Sequence, residues 1–146
     1  MIMKPEEKEI LLKDLCSRLS YGVKCSFGVD DAVYEITGIN PTCCGASEIQ
    51  ATHIKSSING DFRLNSCKPY LFPMSSMTKE QKDYIRNRFC YEWESDEEVS
   101  DLWKHKLEFG DALEFIQWCY ENHLDINSFI PKGLATDATG KNIYQL

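Results

Sequence analysis

The sequence predicts an α+β fold with an N-terminal helix, a small antiparallel barrel-like β-sheet and a C-terminal helical lobe. Three observations predict it: apolar residues at helical spacing near the start, alternating residues from Val23 to about residue 67, and helical spacing again after Thr78. The segment 68–78 between the two patterns holds Pro69 and Pro73, which exclude a helix and favour extended backbone. We therefore divide the chain into 1–77 and 78–146, and expect both parts to form one structural unit.

The first predicted element is an amphipathic helix. Its apolar positions recur every three or four residues, as at Leu11, Leu15 and Leu19, and its other face is charged. Gly22 is a typical stop signal, so the helix should end near Ser20.

Short strands follow at intervals of about ten residues. Inward and outward residues alternate over 23–27, 32–39 and 47–54, with turn-forming clusters at 28–31 and 40–45. Asn59-Gly60-Asp61 is typical of a hairpin turn. Strands of this length and spacing are typical of an antiparallel sheet curled into a small barrel.

Two helices are predicted beyond the prolines. Thr78 and Gln81 have capping-box spacing, and a helix should run from Thr78 to the acidic residues after position 91. A second capping box at Asp111 and Glu114 begins a helix that should end at Asn122-His123. Residues 124–134 should form a short turn, followed by a polar tail.

Composition restricts the class of protein. The 146 residues are 42% apolar and 27% charged, close to the average for globular domains. No apolar run approaches the roughly 18 residues of a membrane span, and the first residues lack the features of a secretory signal. We expect a cytoplasmic protein.

Seven cysteines are many for this length, but the number is odd and no export signal precedes them, so we expect mostly free thiols. The only close pair is the adjacent Cys43-Cys44, without a second pair or a nearby histidine, so a zinc site is not predicted. Cys43-Cys44 also lacks an evident cation or helix N-terminus that would lower a thiol pKa. We predict neither metal nor cofactor.

The net charge of −7 lies mainly in the second half. Residues 1–77 carry eight basic and nine acidic side chains, whereas 78–146 carry eight basic and fourteen acidic ones. The acidity comes from one run that is typical of a solvated, loosely ordered segment: Glu92, Glu94, Asp96, Glu97, Glu98 and Asp101. Such a field disfavours phosphate binding by this half.

The whole chain resembles an uncharacterised family of small proteins from gut bacteria, their mobile elements and their phages. The residues that carry the resemblance are DLCSRLSYGVK at 14–24, KPYLFPMSSMT at 68–78, NHLD at 122–125, Ile130, KGLA at 132–135 and Ile143-Tyr144. The resemblance implies a phage-related or mobile-element setting and a cytoplasmic location, and it implies no catalytic residue. Residues 92–110 match no constant part of the pattern, which marks the acidic run as a variable insertion.

No catalytic set is predicted. His53, His105 and His123 are not at a fixed offset from a nucleophile or carboxylate, so each is interpreted as a surface or capping residue. The glycines lack the spacing of a phosphate-binding loop. The chain is therefore predicted to be a non-enzymatic binding protein, with an enzyme of unrecognised type as the last alternative.

Two binding hypotheses remain. In the first, aromatic residues of the helical half contact another protein or a second copy: Trp103, Phe115, Trp118 and Phe129. In the second, the small barrel binds nucleic acid or a nucleotide through aromatic and basic residues: Tyr21, Lys24, Tyr34, Arg63, Lys68 and Tyr70. The first is favoured because residues 1–77 are near neutral in charge. The predicted binding residues at the surface are Tyr70, Arg63, Trp103 and His123.

Overall fold

The computed structural model describes residues 3–28, 32–40, 49–89 and 109–145, with the backbone alone at Phe109 and Gly110. Three α-helices occur in these ranges: α1 (Pro5–Arg18), α2 (Lys79–Arg88) and α3 (Phe109–Glu121). Six strands accompany them: β1 (Lys24–Ser26), β2 (Tyr34–Ile39), β3 (Ile49–His53), β4 (Asn59–Phe62), β5 (Lys68–Leu71) and β6 (Thr136–Asp137). The α+β class is confirmed.

Local signals place α1 and α2 as expected. A 3₁₀ turn, Leu19–Tyr21, follows α1, and Gly22 ends it with a φ of 71°, a left-handed conformation that glycine adopts without strain. At the start of α2, Gln81 N donates to the Thr78 hydroxyl (3.1 Å) while Thr78 N donates to Gln81 Oε1 (2.9 Å). The predicted capping box is thereby formed.

The strands form one sheet in the order β4-β3-β2-β1-β5-β6. Neighbours are antiparallel except β5 and β6, which are parallel. The sheet is open rather than closed into a barrel, because β4 and β6 lie at opposite edges and do not pair with each other. Strands are confirmed within the predicted segments 23–27 and 32–39 and within the described part of 47–54, but the sheet also takes β5 from the proline segment and β6 from the C-terminal part.

Pro69 lies inside β5 without breaking the sheet. Cys25 is its register partner on β1, and Ala138 N donates to Leu71 O (2.8 Å), so the carbonyl of Leu71 faces β6. Backbone groups two residues apart point the same way, and the missing N–H of Pro69 therefore also faces that side. The β6 pairing begins only at Tyr70, so Pro69 is tolerated where no ladder bond is required.

The hairpin prediction at Asn59-Gly60-Asp61 was wrong in position, because these residues lie within β4. The turn is at Ile54–Ser57, where Ser57 takes a φ of 58° and donates its N–H to His53 O (2.8 Å). His53 Nδ1 also accepts from the backbone N–H groups of residues 55 and 56. Gly60 serves packing instead: a β-carbon there would lie 2.8 Å from the Phe62 ring.

Alternation along the strands gives the sheet two faces. The inner face packs on α1 in a buried cluster that includes Leu11, Leu15, Cys25, Ile36 and Ala51. A second cluster joins α2 and α3 through residues such as Ile85 and Phe115. The described residues cover the opposite side of the sheet, here called the outer face, only in part.

The cover on the outer face is the C-terminal segment, residues 136–145. Ala138 and Ile143 pack there against Tyr70, with Phe72 and Tyr144 at the margin. The predicted polar tail was therefore wrong, because Ile143 is buried and Tyr144 is mostly enclosed by the sheet. Among the helices in the described ranges, none has the length and apolar character that crossing a bilayer requires.

Candidate functional site

The outer face has two ends that differ in cover. We call the part over β1 and β5, beneath the C-terminal segment, the covered end, and the part over β2, β3 and β4 the open end. Six polar side chains lie on the open end, five placed by strand register and Thr37 by its position in a hollow of this end: Glu35, Thr37, Gln50, Thr52, Asn59 and Asp61. Their neighbours along each strand, such as Ile36 and Ala51, are buried on the inner face.

The open end contains a hollow of about 490 Å³. It is lined by Thr37, Gln50, Ala51, Thr52, Asn59, Gly60 and Asp61. This volume lies within the roughly 300–1,000 Å³ range of ligand sites, although the lining is more polar than that of most such sites. The hollow is therefore suited to hydrogen-bonded groups rather than to an apolar molecule.

Contacts within the strands orient these side chains. Thr52 Oγ1 donates to Asn59 Oδ1 (2.6 Å), and Thr37 Oγ1 donates to Gln50 O (3.3 Å). A β-bulge lies between Ile36 and Gly38, and the Gln50 amide occupies the space beside Gly38, where a β-carbon would lie 2.6 Å from Gln50 Oε1. The open end thus presents amide and hydroxyl groups on an ordered backbone.

At the covered end, a tyrosine hydroxyl bridges two strands. Tyr144 Oη accepts a hydrogen bond from Lys24 N (3.2 Å) and donates one to Tyr70 O (2.6 Å). The direct β1–β5 register pairs are Cys25 with Pro69 and Ser26 with Lys68, so the hydroxyl takes the place of the next ladder bond. Lys24 Nζ donates to Ile143 O (3.1 Å) and holds the same segment from its other side.

A buried ion pair lies at the junction of α1, α3 and the loop after α3. Arg18 is fully buried, and its Nε donates to Asp14 Oδ1 (2.5 Å) while its Nη2 donates to Leu124 O (2.7 Å). The guanidinium lies 4.8 Å from the ring centre of Tyr120, a cation–π distance. Asn127 Nδ2 also donates to Asp14 Oδ2 (2.7 Å).

These contacts change the acid–base properties of the covered end. Burial, together with the smaller effects of the Arg18 and Lys24 charges, lowers the pKa of His123 to about 4. Burial also raises the pKa of the Tyr144 hydroxyl and, in the cluster that joins α2 and α3, raises the pKa of the Cys119 thiol to about 12. At neutral pH these groups are neutral, as expected of side chains used for packing.

His123 stacks on the Tyr144 ring with 3.5 Å between ring centres. Its Nδ1 is buried and has no hydrogen-bond partner within the described residues, so no histidine–carboxylate or histidine–thiol pair is formed through that atom. Across the ranges that the structure describes, no group of three His, Cys, Asp or Glu side chains is placed to hold a metal ion.

The structure brings two of the four predicted binding residues together. His123 and Tyr70 meet at Tyr144, but Tyr70 is only 8% exposed, so its prediction as a surface contact was wrong. Its side chain is needed to pack the C-terminal segment. Arg63 is exposed directly after β4, and Trp103 lies outside the described residues.

The wider hypotheses need similar corrections. Phe115 and Phe129 are core residues, and Trp118 is half-buried against Tyr84, with 5.5 Å between ring centres. Among the proposed nucleic-acid contacts, Lys24 is buried and bound to Ile143 O. A pattern of apolar and aromatic residues cannot distinguish a core face from an interface, because both are formed by the same side chains.

The remaining chemical predictions have mixed outcomes. Cys16, Cys25, Cys67 and Cys119 are free, and all but Cys16 are buried. The pair Cys43-Cys44, His105 and the acidic run 92–101 lie outside the described residues. Sequence reasoning missed the role of Tyr144, which has no local signal, and the polar row of the open end, which alternation along β2, β3 and β4 could have indicated.

Comparison with known proteins identifies no relative: no protein-family model, curated protein or solved structure matches this chain.

Proposed function

We propose that this chain is a non-enzymatic interaction protein, a cytoplasmic accessory factor of a phage or mobile element, and that the open end of its outer face binds another protein. One observation carries the proposal. Within the described residues, the C-terminal segment covers one end of the outer face through specific contacts, and five polar side chains line a 490 Å³ hollow at the other end.

The chemistry of the open end favours a protein partner. Its outward strand residues include the carboxylates of Glu35 and Asp61, and the others are neutral amides and hydroxyls. Lysine or arginine side chains and backbone N–H groups of a partner would complement these acceptors. A phosphate backbone would meet charge of its own sign.

The aromatic residues of the same strands support this choice over the nucleic-acid alternative. Tyr34 and Phe62 lie on the inner face, where their ring centres are 5.0 Å apart and Phe62 stacks on Phe27. Base stacking requires exposed aromatic faces. These rings are instead used to pack the inner side of the β2–β4 hairpins.

A non-enzymatic role is supported by how ionisable groups are used. The buried groups of the covered end hold backbone carbonyls and the C-terminal segment in place. Asp61 is the one ionisable residue lining the hollow within the described part of the chain. A general acid–base mechanism normally needs two such groups with separated pKa values.

The proposal is tested by affinity capture from a lysate of the organism that carries the gene, read by mass spectrometry. Gln50→Arg places a cation and extra volume in the hollow at an exposed position, whereas Gln117→Arg makes the same change on an exposed turn of α3. We expect one protein to be enriched by the wild type and by Gln117→Arg, and to be lost with Gln50→Arg.

Equal capture by both variants would contradict binding at the open end. Binding of an oligonucleotide that weakens steeply with added salt would instead favour the nucleic-acid alternative.

A further inference from the structure

The free edge of the sheet at β4 has the properties of a self-pairing strand. β4 pairs with β3 on one side, and within the described residues no strand pairs with its other side. An edge of this kind presents unpaired backbone N–H and C=O groups to any extended chain that approaches.

The β3–β4 register shows which residues of the edge are available. His53 N donates to Ile58 O (2.9 Å), so residues 53 and 58 are a hydrogen-bonded pair. Hydrogen-bonded pairs alternate with non-hydrogen-bonded pairs along an antiparallel ladder. Residues 51 and 60, and then residues 49 and 62, are therefore the next hydrogen-bonded pairs. The backbone groups of Asn59 and Asp61 consequently point away from the sheet.

We propose that two copies of this chain associate by antiparallel pairing of β4 with β4, in the register that sets Asn59 opposite Asp61 of the second copy. A two-fold axis would then pass between the two Gly60 residues, and the two six-stranded sheets would become continuous. Each Asn59–Asp61 pair would exchange two backbone hydrogen bonds, because both residues direct their backbone groups outward.

The side chains of β4 are self-complementary in this register. On the outer side, the amide of Asn59 faces the carboxylate of Asp61 in the second copy, so an amide donor meets an acceptor. On the inner side, Ile58 faces Phe62. Ile58 is 68% exposed, the largest exposed fraction among the large apolar residues in the described ranges, and this pairing would cover it.

Gly60 suits the central position. Opposed residues of a non-hydrogen-bonded pair approach to about 4.5 Å between α-carbons, and two glycines allow that approach without side-chain overlap. The neighbouring registers are less favourable. One sets Asp61 opposite Asp61, which places like charges together, and the other sets Ile58 opposite Gly60 and leaves its side chain uncovered.

The first test is a concentration series in analytical ultracentrifugation on the full chain. We expect a weak dimer that forms between the micromolar range and about 1 mM, because an edge of this length buries less than a standard interface. A particle that stays monomeric up to about 1 mM would overturn the proposal.

Three variants locate the contact. Ile58→Lys removes the exposed apolar side chain, and Asp61→Pro removes an outward N–H without touching the β3 ladder. We expect each to weaken association about tenfold or more. The matched control is Leu113→Lys on α3, where a 47% exposed leucine is changed in the same way and association should not change.

Asn59→Lys tests the register. Opposite Asp61 of the second copy it creates two ion pairs, and association should tighten roughly twofold to thirtyfold. In a register that sets position 59 opposite position 59, the two introduced lysines would repel each other and association would weaken. That result would overturn the register proposed here. An equal loss with Leu113→Lys and Ile58→Lys would overturn the location. Circular dichroism confirms that each variant is folded.

Pairing at this edge leaves Gln50 and Thr37 of the open end uncovered. A monomeric result would therefore not count against partner binding there, and loss of partner capture with Gln50→Arg would not count against the dimer.

Discussion

The two ends of the outer face carry polar side chains of similar chemistry but use them in opposite ways. At the covered end, Lys24 and Tyr144 each satisfy a backbone group that would otherwise be buried without a partner, and nearby Arg18 adds a second hydrogen bond to Leu124 O. At the open end, Thr37, Gln50 and the other outward side chains bond along the sheet and remain accessible. Burial therefore decides where a polar contact stabilises the fold and where it is available to a partner.

The largest effect that separates the ends is expected at the buried ion pair. Arg18→Met removes the charged partner of the buried Asp14 carboxylate and one of the two hydrogen-bond donors to Leu124 O, the other being Ile126 N. We expect the free energy of unfolding to fall by about 3–5 kcal/mol, measured by urea unfolding. Arg88→Met is the control, because its pairs with Asp111 and Glu114 lie at the surface, and it should cost no more than about 1 kcal/mol.

The double variant Asp14→Asn with Arg18→Met sharpens the interpretation. It removes both charges, so part of the loss should be recovered. If Arg18→Met alone lowers the free energy of unfolding no more than Arg88→Met does, the buried Arg18–Asp14 pair does not stabilise the fold to the extent proposed here.

The next effect compares two hydroxyl groups, one at each end. Tyr144→Phe leaves Lys24 N–H and Tyr70 C=O without their bridging partner, and we expect a loss of about 2–3 kcal/mol. Thr52→Val removes an exposed hydroxyl that bonds Asn59 at the open end and should change stability by less than about 0.5 kcal/mol. Thermal or urea unfolding of the two variants gives the comparison directly.

A loss below about 0.5 kcal/mol for Tyr144→Phe would mean that β1 and β5 close the gap and bond each other directly. In that case the C-terminal segment would be held mainly by Lys24 and by the apolar contacts of Ile143 and Ala138.

The same contrast explains what could be predicted from the sequence. Gly22 and the Thr78–Gln81 box act within a few residues, and the helix boundaries that they predict are correct. Tyr144 bridges Lys24 and Tyr70 from 120 and 74 residues away, and a single sequence has no local signal for such a contact. The covered end therefore depends on long-range geometry.

Two local patterns were also misread for physical reasons. Asn59-Gly60 resembles a turn, but Ser57 supplies the left-handed conformation and Gly60 makes room for the Phe62 ring. The charge of Arg18 predicts a place at the solvent side of α1, yet it lies on the same buried face as Leu11, because Asp14 one turn earlier and Leu124 O bind its guanidinium. Charge in a sequence does not show whether a partner will be near in the fold.

The smallest expected effect is the pH dependence of the covered end. The pKa of His123 is 6.5 when unperturbed and about 4 in the folded protein. Burial is the largest cause of this decrease, and the positive charges of Arg18 and Lys24 contribute the rest. The unfolded chain thus binds a proton between those values that the folded protein does not, and the free energy of unfolding should fall as the pH decreases from 6.5 to 4. The ring stays partly accessible, and solvent therefore screens part of this effect. We expect the free energy of unfolding to fall by about 2 kcal/mol over this pH range.

His123→Asn is the matched control, since His123 has a φ of 59° and asparagine adopts that left-handed conformation readily. The variant removes the titrating ring, so its unfolding free energy should be flatter over this pH range. The carboxyl of Asp125, whose pKa burial raises, acts in the opposite direction and remains in both proteins. Equal pH slopes in wild type and His123→Asn would show that the enclosed imidazole does not link protonation to the packing of the C-terminal segment.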